Sequence, residues 1–226
     1  MNLLNINFNL EYFLSRFSVI GKFLPVTLGI AIFSMLIGLL IALVIAFLLD
    51  LKITGLNKIL RTYISFFRGT PLMVQLFIFY FGFPQVFPRL AQIPIYIVAV
   101  YVMSINGSAY MSETIRASIN SVDKIQLESA LSIGMTKYQA MKRIILPQAA
   151  RIAIPPLGNT FISLVQGTAI TFLLGVKEIM AVAKISASST YKFLENYLVV
   201  GIIYWIITLV FTNLLNRLET KMNKAY

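Results

Sequence analysis

The chain has 226 residues, of which 58% are hydrophobic and 12% charged, with a formal net charge of +11. A soluble domain carries about 25% charged residues, so this composition cannot cover a water-exposed surface and points to a membrane. With no cysteine and no histidine, disulfides, thiolate or imidazole metal ligands and Ser-His or Cys-His catalysis are excluded, and no metal or cofactor is expected.

Five charge-free windows run along the chain: Phe23 to Leu49, Gly69 to Pro88, Leu90 to Ser112, Ile152 to Val176 and Asn196 to Asn216. Each reaches about the 20 residues a helix needs to cross a bilayer core, and an apolar backbone in lipid has to be helical. The expected fold is therefore all-α: a polytopic membrane protein of about five transmembrane helices, with residues 23–226 as one domain. The first 22 residues form a separate segment. Its pattern at Leu10, Phe13, Leu14 and Phe17 suggests a short interfacial helix outside the bilayer.

The second window begins with an interruption, Arg68-Gly69-Thr70-Pro71. Pro71 suits the first turn of a new helix and Thr70 its cap. A helix start beside Arg68 attracts a carboxylate, although an arginine that merely reaches for the interface would look the same. The third window holds a polar stripe. Asn106 and Tyr110 are four residues apart, as are Ser108 and Ser112, and the stripe ends at Glu113. Polar groups inside spans are expensive and mark candidate transport paths. Glu113 could accept an ammonium group, or simply pair with Arg68 or Arg116.

Between the third and fourth windows, Asp123 to Gln148 carries its own start and stop signals. Asp123 can cap a first short helix, and Gly134 suits the left-handed residue that ends it. Thr136 and Gln139 make a capping box for a second helix, which should end near Pro147. This pair is too short to span, and it suits a docking surface. In the fourth window Gln166, Gly167 and Thr168 add polar or small residues. Gly38 and Gly158 read as close helix contacts.

Basic residues are uneven in placement. Twelve fall in the loops 50–67 and 113–151 and in the tail with Arg217, Lys221 and Lys224, against six on the other side, with Arg68 at the edge of the second window. This bias places the C-terminus in the cytoplasm and, with five spans, the N-terminus outside. It also accounts for the high charge without nucleic acid binding.

The run Glu128-Ser129-Ala130, Gly134 and Ile144-Ile145-Leu146-Pro147 resembles the cytoplasmic signature of bacterial ABC importer permeases, with Ser129 where alanine is usual. The segments Arg68 to Gly82, Ala109 to Val122 and Pro155 to Asn159 resemble the polar amino-acid uptake branch of that family. The resemblance implies a permease in the bacterial cytoplasmic membrane, not itself an enzyme, that carries an amino acid inward. It implies an ABC ATPase subunit docking on the 123–148 loop through Glu128, Ala130, Gly134, Leu146 and Pro147. A second permease copy, as a homodimer, or a homologous permease, together with an extracytoplasmic substrate-binding protein, would complete the system. Gln166 to Ile170 departs from the branch's usual K-D-T-S-L and keeps only Thr168. The lost acid and the added Gly167 make a basic substrate less expected and a larger neutral one such as cystine conceivable. No phosphate-cradling G-x-x-x-x-G-K-[ST] loop is present, so ATP chemistry belongs to another chain. The alternative is an ion-coupled secondary transporter, which would commonly carry mid-span acids or histidines and an internal repeat. An intramembrane enzyme has no paired carboxylates or nucleophile-base pair to work with.

Overall fold

The computed structural model describes residues 8–223. Residues Met1 to Asn7 and Lys224 to Tyr226, including the first part of the expected N-terminal segment and the tail lysine, lie outside them. Eleven α-helices are formed among the described residues, in the order α1 (Leu10–Gly21), α2 (Leu24–Asp50), α3 (Thr54–Gly69), α4 (Leu72–Phe77), α5 (Phe83–Val86), α6 (Ile95–Asn120), α7 (Lys124–Ser132), α8 (Lys137–Ala140), α9 (Leu146–Gly167), α10 (Ile179–Thr190) and α11 (Phe193–Asn223). Short π and 3-10 turns join several of them end to end.

Four stretches are long and apolar enough to cross a membrane: Leu24–Asp50, Ile95–Asn120, Lys137–Leu174 and Phe193–Met222. A fifth crossing is broken, its two parts Thr54–Gly69 and Leu72–Val86 meeting at 107°. The count of five thus holds with the bent pair taken as one span, but the second crossing begins well before Gly69. Residues 54–68, expected as loop, form a helix whose Tyr63, Ile64 and Phe67 pack on α2 and α6. Lys58 and Arg61 break the apolar window there without breaking the helix, because they stand on the face opposite that packing.

The first and third crossings pair along their lengths. Small residues let the two backbones approach: a Cβ on Gly38 would meet the Ser104 carbonyl at 2.9 Å. The Ser34 hydroxyl donates to the Val100 carbonyl at 3.2 Å across the same interface. Gly158 plays a like part against Leu215 of α11. α1 confirms the helix expected around Leu10 to Phe17. It is capped by Asn9, whose side chain accepts from the Tyr12 N–H at 2.8 Å, and it lays Phe13, Phe17 and Ile20 on the main core while Leu10 and Leu14 stay exposed.

The expected stop at Pro147 is not observed. The second helix of the loop starts as predicted, with both capping-box bonds of Thr136 and Gln139 present, but continues into the fourth crossing. The reason lies in the π turn Met141–Ile145, where the Leu146 N–H reaches back to the Met141 carbonyl. This shift by one residue lets Pro147, which has no N–H, enter the first turn of α9 without a break. The Gln148 side chain then donates to the Ile144 carbonyl at 3.0 Å.

Candidate functional site

The broken span is where polar groups gather. α3 ends at Gly69, and its last turn lies against Ile105 and Ala109 in the middle of α6. Ending a helix among other helices frees carbonyls that need donors. Gln75, fully buried on α4, supplies them: the two hydrogens of its Nε2 are shared among the Phe67 carbonyl at 3.0 Å, the Thr70 carbonyl at 3.0 Å and the Thr70 hydroxyl at 2.8 Å. Asn106 adds a second amide, donating to the Phe67 carbonyl at 2.9 Å and to Gln75 Oε1 at 3.0 Å. Thr70 does not cap α4. Its hydroxyl donates back to the Phe66 carbonyl at 2.8 Å, and Pro71 is the residue before the helix, with no side-chain cap.

Beside this clamp the charged residues meet. Arg68 Nη1 lies 3.3 Å from Glu113 Oε2, and Arg116 Nη1 3.0 Å from Glu113 Oε1. Both arginines foreseen as partners of Glu113 are therefore engaged. The Tyr110 ring lies under the Arg68 guanidinium, 5.5 Å from its centroid, and the Tyr110 hydroxyl donates to the Arg68 carbonyl at 3.4 Å. The side chains of Arg68 and Glu113 remain 43% and 38% exposed, which is enough for a ligand to reach both. They line an open cleft of about 480 Å³ with Arg61, Ser65 and Tyr110.

Other candidates are placed differently. Ser108 is buried and bonded to the Tyr63 hydroxyl at 2.7 Å and the Ile105 carbonyl at 2.8 Å, away from the cleft. Ser112 is buried on its own helix. Gln166 is exposed. Thr168 is buried, donating to the Val165 carbonyl at 2.7 Å and lying 3.3 Å from the Tyr204 hydroxyl. A Cβ on Gly167 would sit in ordinary contact with Met103 and Leu72 at 3.5 and 3.6 Å, so this glycine faces neighbouring helices and opens no room in the cleft.

The loop from Asp123 to Gly134 is built as its residues demand. Asp123 accepts from the Ile125 N–H at 2.9 Å. Gly134 takes φ +83°. The Gly134 and Met135 N–H groups donate to the Leu131 and Ala130 carbonyls at 3.0 and 3.1 Å, the paired bonds of a Schellman stop. Ala130 is buried while Glu128, Leu146 and Pro147 are exposed. Leu127 joins Val122, Ile145 and Ala149 in one cluster, fixing α7 to the ends of the third and fourth crossings.

Two polar groups escaped the sequence reading. Gln75 lies in an apolar window where a lone amide gives no signal of its own. Glu178, fully buried, caps α10 by accepting from the Ala181 N–H at 2.7 Å and takes the Tyr204 hydroxyl on its other oxygen at 3.2 Å. Burial pushes the Glu178 carboxyl above the ordinary range, against backbone N–H groups and the Tyr204 hydroxyl that hold it down. The spacing from Glu178 to the Ala181 N–H could have signalled a helix start; the intervening span hid its contact with Tyr204.

A multi-helix membrane protein with one broken crossing, an ion-pair cleft at the break and a capped loop braced between two crossings has the parts of a membrane transporter. The family model of binding-protein-dependent transport system inner membrane components matches residues 38–224, and the chain belongs to that family. It is 44% identical to the probable amino-acid permease protein YxeN of Bacillus subtilis (strain 168), over 96% of each chain. Identity to the probable amino-acid ABC transporter permease protein PatM of Vibrio harveyi is 42%, over 97% of this chain and 98% of that one. Its fold matches the crystal structure of an amino acid ABC transporter with histidines, at a TM-score of 0.89 and 35% identity over 95% of this chain and 99% of the other.

Proposed function

We propose that this permease carries an amino acid inward, that the substrate's two charged ends are held at the break, its carboxylate by Arg68 and its ammonium by Glu113, and that a separate ATPase drives it through the Asp123 to Gly134 loop. The observation that carries the substrate reading is the Arg68–Glu113 pair, half exposed in a cleft at the break of the second crossing. Opposite charges a few ångströms apart match the two ends of a zwitterion. Discontinuous helices recur at substrate sites of transporters because the break exposes polar groups within the membrane. Arg61 and Arg116 beside the clasp make the site electropositive and disfavour a basic side chain. The cleft lies within the range of about 300–1,000 Å³ usual for ligand pockets and has room for a bulky neutral amino acid such as cystine. Membership in a binding-protein-dependent family favours an ATP-driven system over the ion-coupled alternative.

The docking role has its own support. Ile133 and Tyr138 are 78% and 72% exposed, apolar groups projecting from a loop rich in capping bonds, as an anchor for a partner groove requires. The cluster around Leu127 would pass a push on α7 to both crossings. A docking role for the loop supports a cytoplasmic loop and C-terminus with α1 outside, where a substrate-binding protein would deliver its cargo; a second copy would complete the path. Ile133→Asp leaves the fold's buried contacts alone, so it should abolish co-purification with the cognate ATPase while the permease still folds. Retained association would remove the loop from the coupling role.

A further inference from the structure

The clasp cleft does not end at Arg68. A larger cleft of about 790 Å³ follows α3 toward its start, and the two share Arg61 and Ser65. Lys58, Arg61, Ser65 and Arg68 are three, four and three residues apart, which puts them on one helix face, with Lys52 at the far end in the turn from α2. The opposite face is anchored by Ile64 and Phe67. No acidic side chain lines the larger cleft. The one acid along the whole groove is Glu113, at its other end and already paired to two arginines. Among the described residues Lys52, Lys58 and Arg61 make no ion pair. Like charges along one helix face repel, and along this open groove their potentials sum and attract anions.

We infer that this groove is the exit route, along which the carboxylate of the substrate leaves Arg68 for Arg61, two turns away at about 10 Å, and then for Lys58 and Lys52. The inference rests on the amino-acid clasp proposed above. It adds a selectivity rule: acidic and neutral amino acids are drawn out, whereas a net cationic one loses the attraction. An anionic lipid headgroup or an acidic surface of a partner could occupy the same charges, but neither explains why the groove opens into the clasp.

The absence of cysteine allows a direct test. Ser65→Cys in the permease, assembled with its ATPase in phosphatidylcholine nanodiscs, is labelled with anionic 2-sulfonatoethyl and cationic 2-trimethylammonioethyl methanethiosulfonate, with exposed Ser189→Cys as reference. The anionic-to-cationic rate ratio should exceed the reference by at least about tenfold and fall toward it in Lys58→Gln/Arg61→Gln. In liposomes with the binding protein, uptake from a radiolabelled panel of common amino acids and cystine should turn over several-fold more slowly in Lys58→Gln/Arg61→Gln. An unreactive Ser65→Cys, a ratio at parity, or unchanged turnover in that double variant would overturn the exit route. Unchanged uptake in Arg68→Gln would instead overturn the clasp itself, a separate failure that the labelling ratio does not report.

Discussion

Replacing Gln75 by leucine tests whether the break in the second crossing is held by side-chain amides. Leucine is close to glutamine in size, so the change removes polar atoms and leaves little cavity. Four polar contacts of 2.8 to 3.0 Å disappear with the amide: three to Phe67 and Thr70 that share the two Nε2 hydrogens of Gln75, and one accepted from Asn106. Side-chain bonds between transmembrane helices average about 0.6 kcal/mol and reach about 1.7, so the equivalent of three bonds stabilises the fold by about 2 kcal/mol. The Phe67 carbonyl keeps Asn106 as a donor, which keeps the loss from rising further. Equilibrium unfolding in mixed micelles, followed through the single tryptophan Trp205, reads the change, with exposed Gln126→Leu as control. Because Gln75 and Asn106 share a bond, Gln75→Leu/Asn106→Leu should be non-additive by about 1 kcal/mol. A loss below about 0.5 kcal/mol, equal to the control, would refute the amide clamp.

Gly134→Ala must place a side chain at φ +83° and should cost about 1–2 kcal/mol, read as faster amide exchange confined to α7 and its cap. Gly38→Ala drives a Cβ into the Ser104 carbonyl and should destabilise by about 1–3 kcal/mol, measured in the same micelle titration. Glu178→Gln keeps the cap and the Tyr204 contact, whereas Glu178→Ala should cost about 1–3 kcal/mol. Since the folded carboxyl titrates above its unfolded value, its contribution is complete below about pH 4.3 and is lost as pH rises through the raised value; Glu178→Gln should flatten that part of the stability profile.

Charge-free windows located four crossings because lipid leaves an apolar stretch no option but helix. They misplaced the start of the broken second crossing, since Lys58 and Arg61 interrupt the window while their helix still packs through Ile64 and Phe67. The meeting of Glu113 with Arg68 and Arg116 was legible from the scarcity of acids within the spans. The clamp was not. Pro71 announced a helix start, but whether Thr70 or a residue further along satisfies the freed carbonyls depends on the 107° turn, which brings Gln75 back over them. Capping residues around Asp123, Gly134 and Thr136 specified their own geometry, as local hydrogen bonds do. Pro147 misled because the π turn that accommodates it depends on the hydrogen-bond register of the preceding turn and leaves no mark in composition.

Uptake by the reconstituted complex of permease, ATPase and binding protein, with the panel of labelled amino acids, tests the central claim most directly. Wild-type vesicles should accumulate at least one amino acid only when ATP is supplied, and Arg68→Gln or Glu113→Gln should each cut that uptake by at least about tenfold, the loss expected when one charged partner of a ligand is removed. Accumulation without ATP, or full uptake in both variants, would contradict the account.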